Sequence, residues 1–290
     1  MKANTAIWIS VLILWLPMSA MAAGDVSVEL TKKGDLKIKG TNEGNQILVG
    51  NDTFGNVLVA AMPGTSTTVN GGTQLIFTET DFNTIPGKLD AKLGHGDNFL
   101  EIDDVNIQDD LKIKTGDGDD TIGIFDATLF DDVSIKLGDG DNLVAASRIS
   151  IVDKLDLKSS SGIDGIGIAD CVATGGKTKI KTGDGADLIL LQGSESDALK
   201  LDTGKGPDDL FVTRFSNFEG ANLKLGSEDD RIVVSSTGVF SGKVKLNGAK
   251  GTDTQTLAPA TIFPAKTKNI EVFEVEAAAD VLPDTAASNL

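Results

Sequence analysis

The chain has 290 residues, a formal net charge of -17, 12 Phe, 2 Trp, no Tyr and 1 Cys. A chain this acidic is a poor ligand for nucleic acid or an anionic membrane, and its single cysteine, Cys171, excludes an intramolecular disulfide. Stability must therefore come from burial, backbone pairing or ions.

In chain order, Lys2 is followed by an apolar run from Ala6 to Leu16, then Pro17 and the small-residue stretch Ala20, Met21, Ala22. This reads as a secretory signal peptide over 1–22, because the apolar run is well short of the roughly 20 residues that a membrane-spanning helix needs. Cleavage removes Trp8 and Trp15, which makes a sugar cleft of stacked aromatics implausible. It also removes Lys2, taking the net charge from -17 to -18. The expected location is secreted, cell-surface or periplasmic.

Residues 23–85 read as irregular β coils and a cap, with strand-like runs VSVEL, LKIKG, QILVG, NVLVA and TQLIF. From 86 to 255 one motif recurs: LGHGDN at 93, TGDGDD at 115, LGDGDN at 137, SSSGID at 159, TGDGAD at 182, TGKGPD at 203 and LGSEDD at 225. The spacing is about 22 residues, a period that signals a solenoid whose layers bury one another's cores.

Apolar alternation runs in phase with these turns. Before each turn, Ile113, Ile135, Leu157, Ile180, Leu201 and Leu223 form one inward column. After it come inward pairs such as Leu100 with Ile102, and Ile122 with Ile124. A third short segment keeps the same alternation at Val105 and Ile107, Ala127 and Leu129, and Ile149 and Ile151. With no sustained helical period, the predicted fold is all-β, a parallel β-helix (solenoid) with three short strands per coil. Cys171 falls on the third inward column and reads as packing. Residues 256–276 read as C-terminal capping strands and 277–290 as a flexible tail.

A three-strand coil of this length resembles the right-handed parallel β-helix of pectate-lyase-type proteins, a fold that often stacks an Asn ladder at a tight turn. The matching column here is Asn98, Asp120, Asn142, Asp164, Asp187, Asp208 and Asp230. The turn also resembles the haemolysin-type calcium-binding repeat, with Gly116, Gly118, Asp120 and Ile122 on its glycine, glycine, aspartate and apolar positions. Thr115 stands where that repeat has its first glycine, and the turns recur every 22 residues instead of back to back. What the resemblance implies is therefore turn chemistry and not an intact calcium cage.

The stacked aspartates have two readings. Carboxylates about 4.8 Å apart repel by about 0.9 kcal/mol in bulk water and about 3.5 kcal/mol at an effective dielectric near 20. Either their side chains accept bonds from turn amides and the excess charge is solvated, or they hold Ca²⁺ between coils. On the second reading the candidate ligands are Asp97, Asp117, Asp119, Asp120, Asp139, Asp141, Asp184 and Asp187.

Two outward faces invite partners. Lys92, Lys114, Lys136, Lys158, Lys181 and Lys224 form a row interrupted by Asp202, either a solvated surface or a rail for an anionic polysaccharide. Leu143, Ala145, Gly165, Gly167, Leu188, Leu190, Phe211 and Val233 form an apolar strip. Such a strip should be covered by the third segment or the C-terminal strands, or else offered to another protein or a second copy.

The function expected from these features is an exported, non-catalytic β-helix protein of the cell surface or extracellular space, whose Gly-Asp turns are candidate calcium sites. The alternative is a polysaccharide-active lyase or glycosidase. Against catalysis, His95 sits at a turn position, the arginines form no familiar motif, and repetition offers no singular carboxylate pair.

Overall fold

The computed structural model describes residues 24–78, 80, 82–213, 216–235, 239–257, 265–270 and 272–275. The expected signal peptide over 1–22 and the expected tail over 277–290 lie outside them. Every regular element among the described residues is a strand, and from Thr84 onward the strands stack in parallel into two sheets that face each other across the core. The chain is a parallel β-solenoid with coils of about 22 residues.

Coils add in strict register. Leu111 pairs with Val133, Val133 with Leu155 and Leu155 with Thr178 along one sheet. Ile122 pairs with Val144 and Val144 with Ile166 along the other. Because side chains alternate in and out, this register places every inward residue above its equivalent. Ile113, Ile135, Leu157, Ile180, Leu201 and Leu223 are all buried, as are the paired residues that follow each turn. Cys171 lies in the same core, 6% exposed, with its thiol pushed up to about 12, chiefly by burial.

The expected three strands per coil hold through the first coils, for example Leu111–Thr115, Thr121–Phe125 and Thr128–Leu129. From residue 172 the third strand of one coil runs on into the first strand of the next, giving Val172–Asp184 and Glu195–Lys205. The early corners are broken by Asp109 and Asp131, whose carboxylates accept the next residue's N–H. At the later corners, which carry Gly175 and Gly176 or the single Asp197, the strand runs on through an irregularity: Ala173 pairs with Ser196 and Lys177 with Ala198, and the residues between them step out of register.

The N-terminal segment closes one end. Leu36–Lys39 and Gln46–Asn51 lie parallel to the coil at 89–103, while Asp25–Leu30, Val57–Ala61 and Gln74–Phe77 pair antiparallel beyond them. A reversed strand spoils the template for further parallel coils. At the other end Ala265–Lys268 and Val272–Val275 add in parallel and continue both sheets.

Turn glycines are demanded by the stack as much as by the turn. At Gly140, where φ is +127°, an added Cβ would sit 2.3 Å from the carbonyl oxygen of Gly118 in the preceding coil. Gly140→Ala is expected to cost about 2 kcal/mol or more, read as a lowered melting temperature. Gly64→Ala, at φ +82° with nothing within 4 Å, should cost clearly less. Equal losses would show that backbone strain alone, and not contact between coils, sets the requirement.

Candidate functional site

The feature that repeats most faithfully is the last residue of each turn. Its Oδ1 accepts the backbone N–H of the equivalent residue one coil earlier, at 3.1 Å from Asn45 to Asn98 and 3.0 Å from Asn98 to Asp120. The series continues through Asn142, Asp164, Asp187, Asp208, Asp230 and Asp253. Asn45 and Asp253 extend the column found in the sequence. The signal for Asn45 was Gly44-Asn45 ahead of an alternating strand, and that for Asp253 was Gly251-Thr252-Asp253 at 23 residues from Asp230, the interval that also separates Asp164 from Asp187.

Asparagine satisfies this position completely, because its Nδ2 also donates. Asn98 reaches the Gly96 carbonyl at 2.7 Å, and Asn142 reaches that of Gly140 at 2.8 Å. Aspartate has no such donor when ionised. The Oδ2 atoms of Asp120, Asp164, Asp187, Asp208 and Asp230 are buried with no hydrogen-bond partner. Burial pushes these acids upward: Asp120 and Asp164 to about 6, Asp208 to about 7 and Asp230 to about 8, with Asp187 raised as well. Hydroxyls of Thr115, Ser159, Thr182 and Thr203 temper the rise for their ladder neighbours. Asp230 has Leu225 at that position and rises furthest.

A second, exposed row lies one residue earlier. Asp97, Asp119 and Asp141 each accept the N–H of the residue one coil on, at 2.9, 2.8 and 2.7 Å. His95 does the same two positions before Asp97, its Nδ1 accepting the Asp117 N–H at 3.1 Å. Of the eight candidate calcium ligands, Asp120 and Asp187 thus belong to the buried ladder and Asp97, Asp119 and Asp141 to the outer one. Asp184 pairs with Lys205, while Asp117 and Asp139 are exposed. None of the eight joins the two groups whose oxygens converge within 4.8 Å. Those groups are Asp109, Asp110 and Asp131, and Asp131, Asp132 and Asp153, at the opposite corner of the coil. There Lys112 pairs with Asp110 and Lys154 with Asp132.

The lysine row is longer than its sequence spacing indicated. In register it runs Lys39, Lys92, Lys114, Lys136, Lys158, Lys181, Asp202, Lys224, Asn247 and Lys268. Beside it lies a second row through Lys37, Asp90, Lys112, Ser134, Asp156, Lys179, Lys200, Asn222 and Lys245. Lys39 and Lys37 were missed because residues 40–88 separate them from the regular repeat.

The apolar strip lies on the outer face of the other sheet. The third strands belong to the lysine-bearing sheet, and the C-terminal strands lengthen both sheets, so neither folds over the strip. Phe99, Phe125, Leu143 and Ala145 pack on one another there, and Arg231 lies 5.0 Å above the Phe211 ring. Packing within the face thus removes much of its apolar area from water.

No family model matches the chain, and no curated protein and no solved structure is significantly similar to it. The fold and its faces define the class: a parallel β-solenoid with a buried Asn/Asp ladder.

Because the ladder acids have folded-state pKa values above the ordinary carboxylate value, their stabilising contribution is complete below about pH 4 and is lost as pH rises through about 8. Asp208→Asn with Asp230→Asn should raise the melting temperature at pH 8 by several degrees and leave it nearly unchanged at pH 4.5. A gain of equal size at both pH values would point to packing instead of ionisation.

Proposed function

We propose that this chain is an exported, non-catalytic β-solenoid, a structural or binding component of the cell surface or extracellular space. The observation that carries the reading is regularity. Between residues 89 and 257 the equivalent turn positions recur at intervals of 21 to 23 residues, and among the described residues no long loop departs from one side to wall a cleft. An enzyme on such a scaffold needs a singular constellation, whereas these faces repeat the same residues coil after coil. The apolar N-terminal run supports export. The stacked polar column and coil length support the likeness to pectate-lyase-type β-helices at the level of architecture, which carries no activity with it.

Calcium enters this reading at the turns. The backbone bonds made by Asp97, Asp119 and Asp141 use Oδ1 of each, and these side chains are exposed. A cation there would screen repulsion between coils without being caged. Melting the mature protein in EDTA and in millimolar Ca²⁺ is expected to show a rise of only a few degrees, lost in Asp119→Asn with Asp141→Asn. No rise would remove calcium from the proposal. Incubation with pectin or alginate should release no new reducing or unsaturated ends, and release above a heat-treated control would overturn the non-catalytic reading.

A further inference from the structure

The sheet that carries the first strands has an outward face whose charge is opposite to that of the whole chain. Its main row holds lysine from Lys39 to Lys181 without a break, and the row beside it adds Lys37, Lys112 and Lys179. At about 4.8 Å per coil, the main row through Lys268 is roughly 43 Å long. Stacking like charges at this spacing opposes folding by repulsion along the row. The blandest explanation, protection of a sheet edge, does not apply, since these lysines lie on a face and each strand that carries the row from Lys39 to Lys224 has a neighbour on both sides.

Nearby carboxylates neutralise part of the row and leave its centre bare. Lys92 pairs with Asp90, Lys112 with Asp110, Lys158 and Lys179 share Asp156, and Lys224 faces Asp202. Among the described residues Lys39, Lys114, Lys136 and Lys181 have no ion pair.

We infer that this face binds a linear, carboxylate-bearing polysaccharide lying along the solenoid axis. The partner must be an extended polyanion, because the row is straight and its charges recur once per coil. An extended chain of acidic sugars offers one carboxylate per ring at a repeat comparable to the coil spacing, and lysine, a flexible point charge, tolerates the residual mismatch. Nucleic acid fits less well. Neither row contains an aromatic ring on which a base could stack, and duplex phosphates follow a helical path that leaves a straight row. The inference rests on the reading of the chain as a non-catalytic binding component and names its ligand class.

The test uses the mature chain on immobilised alginate, with dextran and single-stranded DNA columns alongside. Wild-type protein should be retained on alginate at low ionic strength, released by a few tenths molar NaCl, and not retained on dextran. Lys114→Gln with Lys136→Gln and Lys158→Gln should weaken binding by about tenfold to a hundredfold. Lys32→Gln with Lys33→Gln and Lys250→Gln, which lie off the face, should bind like wild type. Unchanged melting curves and circular dichroism establish that the variants are folded. Passage of wild type through alginate, equal retention of the two triple variants, or tighter retention on DNA than on alginate would each overturn the inference. Cleavage of alginate during retention would overturn the non-catalytic reading and leave the binding face standing, so the two failures are distinguishable.

Discussion

The bond from one coil's turn side chain to the next coil's turn amide is the contact on which the rest of this molecule depends. Sheet ladders alone do not define where a coil must bend, since parallel strands could slip by two residues and keep their inward faces. The Oδ1 of Asn98, Asp120, Asn142 and their successors removes that freedom by tying each bend to the one before it. Once the bends are tied, the columns of Ile, Leu and Val have only one alignment, and the core follows. Turn glycines complete the lock, because carbonyl oxygens of the previous coil occupy the space a Cβ would need.

The same geometry sorts charge into three environments. Aspartates at the last turn position are buried and short of donors, so burial raises their pKa values above the ordinary carboxylate value. Aspartates one residue earlier are solvated and share their negative charge with backbone amides. Lysines collect on the adjoining strand face. A periodic sequence on a solenoid turns any preference at one position into a line of identical charges, and this chain carries lines of both signs. The acidic total therefore describes the protein poorly, because a ligand meets one face at a time.

Much of this arrangement was legible in the residues. The period, the inward columns and the Asn/Asp column could be laid out from spacing alone, because stacking neighbours must repeat length and polarity to pair. The coil at 36–51 was legible as an irregular β coil, but its register in the stack was not. Its partner lies 53 residues later, and no periodic signal spans the hairpins between them. The fusion of third and first strands in Val172–Asp184 and Glu195–Lys205 was also hidden, since the corner residues share no pattern, Gly175 and Gly176 in one coil and Asp197 in the next. The candidate calcium residues looked equivalent by position, yet Asp120 and Asp187 face inward while Asp119 and Asp141 face water, a difference of one residue in a turn.

By itself the sequence determined that this chain stacks in parallel coils, because alternation in phase with a 22-residue spacing has no other way to bury its apolar half. Only the tertiary structure decided what the polar residues do. Whether an aspartate is a buried rung, an outer rung or half of an ion pair depends on which atoms of the adjoining coil it meets. Those atoms lie about 22 residues away along the chain but one strand spacing away in space.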